Sequence, residues 1–166
     1  LDRGIVMIVG DHGEDLGETG HFGHVEHVGP TLSRIPMILW ARDLEPARYA
    51  HAVSVIDVMP TLWAMLGLPA PASWQGHDAR VDTDRIVRLE TFPPEAKVAW
   101  RGIVWGDKRM AATLDDVDFL DLDGSPLEAP PSQELVDAWV NWPRGTTIEA
   151  PSPEMLERLK ALGYAN

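Results

Sequence analysis

Four of the six histidines in this sequence fall between His12 and His27, and the same stretch carries Asp11, Glu14, Asp15 and Glu18. The run is Gly10-Asp11-His12-Gly13-Glu14-Asp15-Leu16-Gly17-Glu18-Thr19-Gly20-His21-Phe22-Gly23-His24. A carboxylate beside an imidazole is a mixed O/N ligand pair for a divalent cation. Asp11 and His12 would fill half a coordination shell. No second Asp/His cluster in the sequence completes it, so the remaining ligands are expected from residues outside this stretch. Asp-His-Gly alone also reads as a turn, with the aspartate accepting local backbone bonds. Glu14, Asp15 and Glu18 then read as a solvated acidic face.

The elements that must position these side chains follow from the apolar pattern. Residues 5–9 (Ile-Val-Met-Ile-Val) form a short β-branched run, which predicts a strand buried on both faces, as in a parallel sheet. In open parallel sheets, ligands bind beyond the carboxyl ends of the strands, and Asp11 and His12 lie there. Gly10 and Gly13 permit the sharp turn that lets both reach one site. Residues 35–40 predict a second buried strand. Residues 54–66 predict a helix, with Asp57 as N-cap, Pro60 in the first turn, Gly67 just past the end and Pro69 as a stop. Residues 69–84 read as a loop. Short strands are expected at 85–90, 98–105, 108–113 and 117–122, with a hairpin at Gly106-Asp107. Helices are expected at 133–142 and 153–162. The fold class is therefore α/β: a mainly parallel sheet with flanking helices, then a small antiparallel sheet and C-terminal helices. The boundary divides residues 1–76 from 77–166.

Composition narrows the function. The 166 residues carry a formal charge of −12, which argues against nucleic acid and anionic membrane surfaces as partners. No cysteine is present, so disulfides, thiolate metal sites and a cysteine nucleophile are excluded within these residues. The most apolar stretch, 52–72, is interrupted by Ser54, Asp57, Pro60 and Pro69, so no membrane segment is expected. Seven tryptophans are present, and Trp100, Trp105, Trp139 and Trp142 are expected to pack the later sheet and helix. A chain opening on an apparent central strand is expected to continue a domain begun upstream.

Three spaced motifs carry a resemblance. Ile-Val-Gly-Asp-His-Gly-Glu-x-Leu-Gly-Glu is followed by Gly-x-Phe-Gly-His and then by Arg34-Ile35-Pro36. Ser54-x-x-Asp57-x-x-Pro60-Thr61-Leu62 and Gly76 come next. Together they resemble the C-terminal part of the sulfatase family, within the alkaline phosphatase superfamily. The resemblance is strong to about Gly76 and looser beyond it, through Glu90-Thr91, Asp118-Phe119-Leu120-Asp121-Leu122 and the closing Leu159-Lys160-Ala161-Leu162-Gly163-Tyr164.

The resemblance implies an alkaline-phosphatase-like sheet and a role for each matching position. Asp11 and His12 match metal ligands. His24 matches the residue that contacts the sulfate or phosphate oxygens, where a protonated imidazole would offset developing negative charge. Arg34 is expected to be structural, pairing with Asp57 or Glu26. Glu14 is expected to support the site without ligating, and His21 and His27 to be structural. The implied cofactor is one divalent ion, Ca²⁺ or Mn²⁺ first, then Zn²⁺ or Mg²⁺. The implied substrate is a small-molecule or carbohydrate sulfate or phosphate ester, and the implied compartment is periplasmic or extracellular. Two departures stand out. Thr19 occupies a position where members commonly have histidine, and Val28-Gly29-Pro30 replaces a usual Tyr-Glu-Glu stretch.

The family's nucleophile pattern, Cys/Ser-x-Pro-x-Arg, does not occur here. The expectation is therefore a metal-dependent hydrolase of sulfate esters, present as a C-terminal fragment that lacks its nucleophile and depends on the N-terminal part of the same domain. Two alternatives stand beside it. One is a phosphoesterase, phosphonate hydrolase or phosphoglycerol-type transferase of the same superfamily. The other is a non-catalytic accessory or interaction domain.

Overall fold

The structure is a computed structural model that describes residues 4–18, 20, 22–24, 27–91, 100–106, 108–113, 127 and 131–141. Strand β1 (Ile5–Val9) leads into a small hairpin of β2 (Asp15–Leu16) and β3 (Phe22–Gly23). Helix α1 (Pro30–Ser33) and strand β4 (Met37–Ala41) follow. A 3-10 turn (Val55–Asp57) runs into α2 (Val58–Met65). Strands β5 (Val87–Glu90), β6 (Trp100–Trp105) and β7 (Lys108–Thr113) precede α3 (Gln133–Val140).

The expected mainly parallel sheet is not what the first two strands form: β1 and β4 are antiparallel, with Val9 opposite Met37 and Ile5 opposite Ala41. The connection explains the direction. Residues 10–36 leave the end of β1 and return beside it, since Gly10 N–H donates to the Pro36 carbonyl at 3.1 Å. A parallel partner would need a crossover to the opposite end. Every strand pair among the described residues is antiparallel. Burial on both faces is also corrected. Ile8 and Ile38 face each other across the ladder and are each more than half exposed, and Trp40 beside them is 44% exposed. The long connection still emerges at the carboxyl end of β1, where the expected site lies.

The 54–66 segment is helical, and Asp57 stands at the N-cap position of α2 as expected, but its side chain makes no cap bond to that helix; the capping lies one turn earlier, at the 3-10 turn. Ser54 is the cap: its side chain accepts the Asp57 N–H while the Asp57 carboxylate accepts the Ser54 N–H at 2.8 Å. This is the reciprocal capping box that satisfies two orphan donors. Pro60 sits in the first turn of α2 as expected. The far end also follows expectation. Gly67 has φ +68°, Gly67 N–H donates to Ala64 O at 3.1 Å and Leu68 N–H to Trp63 O at 2.9 Å. That is the pattern of a left-handed glycine closing a helix.

Asp57 is 1% exposed and does more than cap. Its carboxylate also accepts the His77 N–H at 2.9 Å and pairs with the Arg85 guanidinium. The expected Arg34–Asp57 pair is thereby corrected. The charge on Asp57 is taken up by an arginine 28 residues away, while Arg34 is exposed; Glu26, the other partner considered, lies outside the described residues. Thr61 extends the same knot. Its Oγ1 donates to Asp57 O at 2.6 Å and accepts the Ala79 N–H at 2.8 Å. Gly76 is required there, because a Cβ would come within 2.0 Å of the Ile56 carbonyl oxygen.

The small antiparallel sheet is present as the meander β5-β6-β7. Neighbouring residues of β6 point to opposite faces. Ile103 packs with Met110 and with Leu135 of α3 to form the buried core, joined by Ile86 and Trp105. Gly102 faces the other way, and a Cβ there would meet Val28 Cγ2 at 2.9 Å. The later sheet thus covers the segment that carries α1. The strand expected at 117–122 and the helix expected at 153–162 lie outside the described residues. No helix among the described residues is long and apolar enough to cross a membrane.

Candidate metal and oxyanion site

The site is built by a glycine-framed loop clamped to α1. Gly13 N–H donates to Leu32 O at 2.7 Å, and a Cβ on Gly13 would come within 1.8 Å of Thr31 O. Only glycine permits that approach, and it fixes where His12 and Glu14 leave the loop. These two residues are two apart, so in extended chain they project to the same side. The hairpin then turns through Gly17 and Gly20, both with positive φ. Asp15 pairs with Gly23 in the register, which brings Glu14 and His24 side by side at the hairpin base.

The three side chains converge. His24 Nδ1 lies 3.1 Å from Glu14 Oε2, and the His12 and His24 rings stack with centroids 4.2 Å apart. One ligand atom from each of His12, Glu14 and His24 lies within 4.8 Å of the others, and all three residues are exposed. His12 Nδ1 is 2.8 Å from the Gly13 carbonyl. A carbonyl only accepts, so Nδ1 carries the proton and Nε2 keeps its lone pair for a ligand. By the same reasoning His24 Nδ1 donates to Glu14, leaving Nε2 as the ring atom open to a ligand. The cluster opens on a cleft of about 480 Å³ whose lining includes Asp11, His12, His24 and His27 and the β5 residues from Val87 to Glu90.

Asp11 stands beside this group rather than inside it. Its side chain is 90% exposed, and its Oδ2 lies 3.8 Å from His12 Nε2. Its Oδ1 accepts the His12 N–H at 3.0 Å. That backbone bond, reinforced by His12 and His24, holds its carboxyl below the usual range. Asp11 therefore stays ionised and within reach of any cation held by His12. His12 with the Asp11 and Glu14 carboxylates forms a mixed N/O donor set that fits a divalent ion.

Glu14 was expected only to support the site, and the structure places its carboxylate within the cluster. The alternating His-x-Glu spacing was the available signal. Asp15 departs furthest from a solvated acidic face. It is 2% exposed and bonded to His27 Nε2 at 2.5 Å. Glu18 is not idle either: its carboxylate accepts the Leu16 N–H at 2.7 Å.

Comparison with known proteins bears on the same segment. The Sulfatase family model matches residues 1–68, which include Asp11, His12, Glu14, His24 and all of α2. No curated protein matches the chain. The family match supports a relation of this segment to the sulfatases and, at family level, to hydrolase activity.

Proposed function

We propose that this chain supplies part of the metal and oxyanion site of a sulfatase-like hydrolase acting on sulfate esters. The observation that carries the reading is the convergence of His12, Glu14 and His24 at the carboxyl end of β1, inside the segment that matches the family. His12, Asp11 and Glu14 would hold a divalent ion, and imidazole donors suit Mn²⁺ or Zn²⁺ better than the all-oxygen preference of Ca²⁺. When bound, the ion would polarise the ester oxygens and favour the ionised nucleophile.

The chain's own residues would do the rest. His24, with Nδ1–H donating to Glu14, would act as an imidazolium, presenting Nε2–H to the sulfuryl oxygens and offsetting the charge that grows as the ester bond breaks. The net reaction consumes water and releases an alcohol and sulfate. With no cysteine and no Ser-x-Pro-x-Arg, the nucleophile belongs to residues outside this sequence. The open Ile8, Ile38 and Trp40 face supports a further part of the same domain packing there.

The test is turnover of an aryl sulfate and an aryl phosphate by the protein that carries this chain. The sulfate should be preferred, and His24→Ala should lower kcat by about 10²-fold, as loss of one oxyanion donor does. A preference for the phosphate would move the protein to phosphoryl transfer, and turnover indifferent to His24→Ala would contradict the role given to His24.

A further inference from the structure

We infer that Asp15 and His27 form a positioning pair that aims Glu14 and His24 at one another; the inference rests on the reading of the cluster as a ligand site. The β2–β3 hairpin has two residues per strand, and its facing pair, Leu16 and Phe22, is 69% and 81% exposed. So short a hairpin has little stability of its own. Among the described residues of 14–24, Asp15 alone is buried. The hairpin is therefore held to the molecule through a charged side chain, not an apolar one.

That anchor has a defined geometry. Gly29 N–H donates to His27 Nδ1 at 2.7 Å, so Nε2 carries the ring proton and donates to Asp15 Oδ2 at 2.5 Å. Gly29 in turn is the residue that opens α1. A Cβ on Gly29 would lie 2.5 Å from His27 Nδ1, so the ring sits directly against the backbone it accepts from. The pair links the hairpin to the start of α1, and the Gly13–Leu32 bond links the loop to the end of α1. The cluster is stretched between these two ties.

Alternation converts the tie into aim. Asp15 points inward, so Glu14 on one side of it points outward, on the same strand edge as His24. A hairpin freed from Asp15 could slip or rotate by one residue, which exchanges the two faces. Glu14 would then leave His24. Neither Asp15 nor His27 is among the groups that would touch the ion or the ester.

The experiment reads position and binding separately, on the full chain. In the wild type, an NMR cross-relaxation signal should connect the His12 and His24 rings, with the Trp63–Trp74 contact, centroids 5.3 Å apart, as the control for folding. His27→Leu should lose the first signal and keep the second, and should weaken Mn²⁺ or Zn²⁺ binding by about tenfold or more, the usual range for removing a group that orients a ligand. His27→Gln, which can still donate to Asp15, should restore both. Retention of the histidine signal and of wild-type affinity in His27→Leu overturns the inference. If His27→Leu also loses the tryptophan signal, Asp15→Leu decides: it keeps much of the side-chain volume and removes the acceptor, so a lost histidine signal with the tryptophan signal kept supports the pair and an unchanged histidine signal overturns it. A wild type that binds no metal would sink the functional reading alone, because the histidine signal still judges the pair.

Discussion

Two polar clusters in this molecule use the same residue types to opposite ends. Around Asp57, every group is spent on the protein itself. The carboxylate accepts the Ser54 and His77 N–H groups and pairs with Arg85, and the residue is buried. Around His12, the groups meet one another but stay open to solvent, and His12 and His24 each keep a ring nitrogen uncommitted. A buried polar cluster must be satisfied internally or it is costly. An exposed one is free to converge on something else. The first fixes the helix that follows it, and the second is positioned to bind.

The largest break in this comparison should come from Asp57→Ala, which strands a largely buried Arg85. Chemical denaturation should show a loss of about 3–5 kcal/mol, the cost of removing one partner of a buried pair. A loss below about 1 kcal/mol would mean that the knot is dispensable. Gly13→Ala and Gly76→Ala come next. Each would drive a methyl group into a backbone carbonyl, 1.8 and 2.0 Å away respectively, and should cost at least about 1–3 kcal/mol. Gly13→Ala should in addition weaken metal binding, whereas Gly76→Ala should not.

Arg109 tests the rule in the opposite direction. It is 1% exposed, and neither its Nε nor its Nη2 has a hydrogen-bond partner among the described residues. Burial, reinforced by Arg34, lowers its pKa to about 10. Such a cation costs stability without repaying it, so Arg109→Met should stabilise the fold, by about 1–3 kcal/mol. Destabilisation would show that the guanidinium has a role beyond the contacts described.

A smaller effect concerns Asp78, whose carboxyl the Arg80 guanidinium holds below the usual range through bonds of 2.7 to 3.2 Å. A lowered carboxyl pKa adds stability that is fully present above the unfolded value, roughly pH 4, and is lost as pH falls through the folded one. The Asp78→Asn variant should therefore differ from wild type by about 0.5 kcal/mol near neutrality and converge with it in acid.

The sequence was most informative where local chemistry decides structure. Asp57, Pro60 and Gly67 announce the helix, because caps and breakers act within one turn; the Ser54 cap one turn earlier was not among the expected signals. Glycine spacing in 10–24 announces the loop, and its place beyond β1 is where the candidate site was expected. Long-range partners were hidden. Nothing in the run 5–9 says whether its neighbour lies parallel or antiparallel, since both demand the same apolar residues. Nothing near Asp57 points to Arg85. Asp15 looks identical to its solvated neighbours because a two-residue strand is too short to show alternation. Asp11 and His12 were expected as a ligand pair from their adjacency, whereas the place of Glu14 beside His12 and His24 needed the hairpin register.

The most direct measurement is calorimetric titration of Mn²⁺ or Zn²⁺ into the protein that carries this chain and into its His12→Ala and Glu14→Gln variants, with stability followed in parallel. His12 and Glu14 are exposed, so both variants should keep wild-type stability within about 0.5 kcal/mol. Saturable binding in the wild type that weakens at least tenfold in each variant is the predicted result. Equal heats in all three proteins would contradict the claim that this cluster is a metal site.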